Sequence, residues 1–297
     1  MKIPSNLKKG DCIAIVATAR SVNASDLKEA IQLAESWGLK VVIGSSIGKI
    51  QNQFAGSDAE RSADLQTQIN NPKLKAIWCA KGGYGSVRIL DLVDFSSLQN
   101  QPKWIIGYSD VTAIHCHLQT LGVASLHAQM PVGISSKTET SASTLRDVLF
   151  GKKMHYCFAN HPFNQTGKVS ATLMGGNLSV LYSLCGSASF PKLENVILLL
   201  EDLDEYLYHI DRMMQNLKQN GGFKNLAGIV IGGMTDMNDN RIPFGKTAEE
   251  IIHEYVSELK IPVAFGVSFG HLKENLAIPF GKEVHLVVSE KGTEIQF

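Results

Sequence analysis

Short apolar runs recur through the first half of the chain. Each is followed by a glycine-containing turn and then by apolar residues at helical spacing. Residues 11–17, 40–43, 74–79 and 104–107 are such runs. A run of this length and composition fits a parallel strand buried on both faces. Between the first two, Leu27, Ala30, Ile31 and Ala34 repeat at helical spacing and Gly38 ends the pattern. Asp26 and Glu29 read as a capping box, with Asp26 as N-cap. Residues 60–70 form a second helix, stopped before Pro72. Repeated strand–helix units imply a mostly parallel, doubly wound sheet with helices on both faces.

The rhythm breaks over 151–164, where His161-Pro162 and the residues after it have turn chemistry. Beyond it come strands at 195–200, 226–231 and 263–267, and helices at 178–184 and 247–256. A strong helix carries Ile210, Met213, Met214 and Leu217 on one face and ends at Gly221-Gly222. Residues 283–288 and 293–297 flank Lys291-Gly292 as a hairpin. At roughly 150 residues per domain, the length of the chain suits two. The expected fold is therefore α/β, with a Rossmann-like domain over 1–150, a linker over 151–164 and a second α/β domain of more antiparallel character over 165–297.

Charge narrows the function. Lys plus Arg number 28 and Asp plus Glu 28, so the chain lacks the basic surplus of a nucleic-acid partner. No apolar run is long enough to cross a bilayer, and no apolar h-region follows the opening residues. The five cysteines are widely spaced with no C-x-x-C, the pattern of buried thiols in a reducing compartment. A cytoplasmic protein with no nucleic-acid or membrane partner is expected.

In open parallel sheets, ligands bind beyond the carboxyl ends of the strands. Three such ends stand out. Trp104-Ile105-Ile106-Gly107-Tyr108-Ser109-Asp110 joins a strand to a helix through a sharp turn, as a nucleophile elbow does. Val111 stands where the hydrolase motif has its second glycine, and Ser109 also reads as a plain N-cap. Ala80-Lys81-Gly82-Gly83-Tyr84-Gly85 lets the backbone approach a ligand and turn N–H groups inward, or is a simple tight turn. Glu201-Asp202 closes a leucine-rich strand, where a carboxylate is costly unless paired. Asp204 and Glu205 beyond it read as a solvated acidic loop. Of the nine histidines, His271 is best placed as a base, since it follows a strand end through Ser268-Phe269-Gly270. His115 and His117 are two residues apart and do not share a helical face, which argues against a metal site.

Taken in order, KGGYG, WIIGYSD, LMGGNLS, LLLEDLDEYLYHIDRMM, AGIVIGG and FGHLKENLAIPFG resemble the LD-carboxypeptidase family of serine peptidases. That family comprises muramoyltetrapeptide carboxypeptidases and microcin-immunity peptidases. The resemblance implies a Ser-His-Glu triad on Ser109, His271 and Glu201, with an oxyanion hole from the N–H groups of Gly83 and Asp110. It implies a two-domain homodimer that needs no metal or organic cofactor and acts on murein tetrapeptides during cytoplasmic recycling. Lys81, Gly82, Tyr84, Gly175, Gly176 and Asn177 are candidate substrate contacts, although Gly175 and Gly176 equally suit close helix–strand packing. Two positions depart from the family pattern. Lys81 stands where many relatives have Arg, and Thr18-Ala19-Arg20 follows Ala17 where relatives often have Pro-Ser. A peptidase acting on peptidyl-nucleotides and a non-catalytic binding protein are the other readings open at this point.

Overall fold

The computed structural model describes residues 1–297. Its first half lays down β1 (Cys12–Val16), α1 (Lys28–Ser36), β2 (Lys40–Ile43), α2 (Asp58–Asn70), β3 (Leu74–Cys79), β4 (Trp104–Gly107), α3 (Thr112–Thr120), β5 (Ser125–His127) and α4 (Glu139–Leu149). The second half adds β6 (His155–Phe158), β7 (Gly167–Asn177), α5 (Leu178–Ser183), β8 (Val196–Leu203), α6 (Leu207–Gln219), β9 (Gly228–Thr235), α7 (Ala248–Val256), β10 (Val263–Ala264), β11 (Ile278–Phe280), β12 (Glu283–Ser289) and β13 (Gly292–Gln296). Two sheets result, as the mixed reading of the sequence expects. The first has the order β11-β5-β4-β3-β1-β2 and is parallel except for β11. The second has the order β10-β9-β8-β7-β12-β13-β6, parallel from β10 to β7 and antiparallel beyond.

Alternation along the strands sends side chains to different cores. In β3, Ile77 and Cys79 join one cluster while Ala76 and Trp78 join another. In β8, Leu198 and Leu200 point to the first of these, and Ile197 and Leu199 to a third. The largest cluster contains 41 buried residues drawn from both halves, including Ile105 of β4, Ile114 of α3, Met213 of α6 and Ile231 of β9. That shared layer joins the parallel portions of the two sheets. Each fully buried leucine of β8 contributes about 1.5–3 kcal/mol, which offsets the desolvation of the carboxylates at the strand's end.

Several local features differ from the sequence reading. The capping box falls on Asn23 and Asp26, where Asp26 Oδ2 accepts from Asn23 N at 3.1 Å, and a short 3₁₀ turn (Ala24–Leu27) leads into α1. Asn is as good an N-cap as Asp, and here it stands three residues earlier. The 151–164 segment carries β6, the outermost strand of its sheet. Cys157 is consequently exposed, unlike buried Cys79 and Cys116, and all five thiols are free. Of the expected 263–267 strand, Val263–Ala264 form the regular pairing; Phe265 N donates to Asn164 Oδ1 at 2.8 Å, and Val267 N returns to β9 at Ile231 O, 3.3 Å away. β11 crosses back to cover the edge of the first sheet, where Pro279, lacking an N–H, is tolerated. No helix is long and apolar enough to cross a membrane.

Candidate active site

β4 ends at Gly107, Tyr108 continues extended, and Ser109 turns with φ of 61° into the short 3₁₀ stretch ahead of α3. Positive φ is uncommon for a residue with a side chain and is kept where the surroundings enforce it, often at functional sites. The side chain of Ser109 caps nothing: Tyr108 occupies the N-cap position and no capping hydrogen bond is made. The plain N-cap reading of Ser109 therefore loses its observation. Gly82 lies directly against this serine, since a Cβ there would come 3.2 Å from Ser109 Oγ and 3.4 Å from Asp110 N.

The carboxylate of Asp110 is buried and accepts from Gly85 N at 3.2 Å and Ser86 N at 2.8 Å. It ties the glycine turn after β3 to the serine turn after β4. Burial raises its pKa, and those same hydrogen bonds oppose the rise.

Glu201 sits where the register of β8 against β9 shifts between Leu200 and Asp202. A bulge of this kind re-aims side chains, and here both Glu201 and Asp202 are buried. Glu201 Oε2 accepts from His271 Nδ1 at 2.7 Å and from His271 N at 3.2 Å. Gly270, at φ of 94°, makes this approach possible, because a Cβ there would meet the same carboxylate oxygen at 2.3 Å. The His271 ring packs 4.9 Å from the Tyr108 ring, and Lys137 Nζ donates to the next carbonyl, Leu272 O, at 2.5 Å. Asp202 accepts from Asn177 Nδ2, Ser179 N and Leu203 N. Burial first, and the Glu201 charge second, push the pKa of Asp202 up to about 7.

Ser109, Gly83, Asp110, Asn177 and His271 line one cleft of about 360 Å³, together with Arg20, Ser179, Asp202 and the turn after β8. Ser109 Oγ and the His271 ring share it without a hydrogen bond between them, a contact that often closes only with substrate in place. With Nδ1 on Glu201, Nε2 is the ring nitrogen left for the cleft.

The other candidates divide. Gly175 and Gly176 are closely packed, for a Cβ would strike Leu199 O at 2.1 Å and Thr112 Oγ1 at 2.5 Å. Asn177 caps α5 through Val180 N. Tyr84 is exposed with its ring tilted 52° against that of Phe54, 6.0 Å away, and neither it nor Lys81 lines the cleft. Ser179 also lines the cleft with no distinct signal in the local sequence, whereas Asp202 belongs to the acidic strand end and Arg20 to the segment that departs from the family pattern.

Residues 13–128 match the N-terminal domain of LD-carboxypeptidases, and residues 170–286 match the C-terminal domain. The chain belongs to the LD-carboxypeptidase family. As a member it is a serine-type carboxypeptidase. It is 32% identical to a putative carboxypeptidase of Synechocystis over 95% of this chain and 93% of that one. Its identity to a probable murein peptide carboxypeptidase of Bacillus subtilis is 29%, over 99% and 94% of the two chains. The muramoyltetrapeptide carboxypeptidase structure from Oxalobacter formigenes superposes with a TM-score of 0.88 at 27% identity, covering 96% of this chain and 98% of that one.

Proposed function

We propose that the cleft hydrolyses the peptide bond before a terminal D-alanine in murein tetrapeptides, with Ser109 as nucleophile, His271 as general base and Glu201 as the acid that orients it. The observation that carries this reading is the hydrogen bond from half-buried His271, which lines the cleft with the strained Ser109, to the fully buried Glu201. Ser109 Oγ attacks the scissile carbonyl carbon as His271 Nε2 takes its proton. The tetrahedral oxyanion is received by the N–H groups of Gly83 and Asp110. His271 then passes the proton to the leaving amine, the C–N bond breaks, and D-alanine departs. Water, deprotonated by the same histidine, attacks the acyl-enzyme and frees Ser109. Glu201 holds Nδ1 protonated throughout and stabilises the imidazolium. Side chains and backbone groups of this chain carry every step.

The names of the relatives support murein peptides as the substrate class. The same reading includes a homodimer working in the cytoplasm. Incubating the purified protein with murein tetrapeptide, with the tripeptide and with an aminoacyl-nucleotide tests it. D-Alanine released from the tetrapeptide alone is the expected result. Turnover confined to the aminoacyl-nucleotide would overturn the substrate assignment.

A further inference from the structure

Four carboxylates border the cleft, those of Asp110, Asp202, Asp204 and Glu205, against one permanently charged cation, Arg20. A peptide ending in a free carboxylate has to place that negative charge somewhere in this acidic surround. Arg20 sits in the loop after β1. Its backbone is held, since Ala55 N donates to Ala19 O at 3.0 Å and Ser21 N donates to Gln53 O at 2.9 Å. Its side chain crosses Gly83 so closely that a Cβ on that glycine would come 2.5 Å from Arg20 Nε. Other arginines nearby are committed: Arg61 and Arg88 both pair with Asp58. The guanidinium of Arg20 has no such carboxylate partner within the chain, so its planar fork is available to one from outside.

We propose that Arg20 reads the terminal carboxylate of the peptide and so makes this cleft select chain ends. The inference rests on the Ser109 reading given above. Arg20 and Gly83 line the same cleft, so a substrate whose scissile carbonyl oxygen is held by Gly83 N–H has its leaving residue, the one that carries the terminal carboxylate, in the cleft that Arg20 borders. The carboxylate of that residue then meets the fork, while the acidic side of the cleft faces the amino groups of the rest of the peptide. Arg20 acts as a specificity residue and takes no part in proton transfer.

The test compares a peptide ending in D-alanine with the same peptide ending in D-alaninamide, for the wild type, Arg20→Gln and Arg20→Lys. A charge-assisted hydrogen bond lost from the acid predicts a KM about ten- to a hundredfold higher in Arg20→Gln, with kcat little changed. The amide should be cleaved alike by wild type and Arg20→Gln, so the preference for acid over amide collapses. Arg20→Lys should keep part of it. An undiminished preference in Arg20→Gln would overturn the proposal. So would an equal loss on both substrates, which is what a merely structural prop for Gly83 would give. A fluorophosphonate probe, which carries no carboxylate, should label Ser109 in both proteins. Failure to label Ser109 in the wild type would count against the nucleophile assignment, and the acid-to-amide ratio is read independently of it.

Discussion

Glu201 Oε2 lies 2.7 Å from His271 Nδ1 and 3.2 Å from His271 N, so one buried oxygen fixes both the ring and the main chain of the histidine. Glu201→Gln keeps the size of the side chain and removes the negative charge that supports an imidazolium. It should lower kcat by about 10³–10⁴-fold, as loss of an orienting acid does in such triads. KM should stay close to the wild-type value, because Glu201 does not line the cleft. Steady-state kinetics on the tetrapeptide check this, and a kcat within a few-fold of wild type would remove Glu201 from the mechanism.

Gly270 is the position where the smallest substitution should do the most harm. Gly270→Ala forces a Cβ against the Glu201 carboxylate and keeps a side chain at φ of 94°. Backbone strain of this kind costs about 1–3 kcal/mol. The variant should unfold at lower urea concentration and lose activity through displacement of His271. A protein with the wild-type midpoint and full activity would show that the contact gives way without consequence.

Acid sensitivity should trace in part to His115. This residue is fully buried, and its Nε2 donates to Gly107 O, the last residue of β4, at 2.9 Å. Burial pushes its pKa down to about 4, a shift opposed by the bond to Gly107. It stays neutral in the fold and takes up a proton more readily once unfolded. Its contribution is therefore complete above about pH 6.5 and is lost as the pH falls through about 4, a change of ~3 kcal/mol. The raised pKa of Asp202 acts in the opposite sense, favouring the fold at low pH and losing that effect as the pH rises through about 7. Comparing wild type with His115→Gln isolates the histidine. Between pH 7 and pH 4 the urea midpoint of the variant should fall less than that of the wild type. Parallel curves would contradict the assignment.

The strand ends are legible because short apolar runs and glycine turns are local signals. Ser109, Glu201 and His271 each follow such a run, and they converge because parallel strands carry their carboxyl ends to one side. Asp202 stands out in the sequence only as the neighbour of Glu201, and Arg20 only as part of a departure from the family pattern. A loop arginine has no periodicity, and whether it faces solvent or a cleft depends on Gly83, distant in sequence. β11 has no sequence signature for a related reason: three residues that include Pro279 are too short to show alternation, and only pairing with β5 makes them a strand. In the sequence Gly175 and Gly176 suit ligand contact and packing alike; in the structure Leu199 O and Thr112 Oγ1 lie close against them. The sequence alone places the cap at Asp26, because Asn23, the cap in the structure, opens a 3₁₀ turn and not the helix itself.

The assignment of Ser109 as nucleophile is tested most directly by D-alanine release from murein tetrapeptide by Ser109→Ala, measured beside its urea unfolding midpoint. Removal of a triad nucleophile predicts a loss of about 10⁴–10⁶-fold in rate, with the midpoint unchanged. Release at the wild-type rate by a folded Ser109→Ala protein would contradict it.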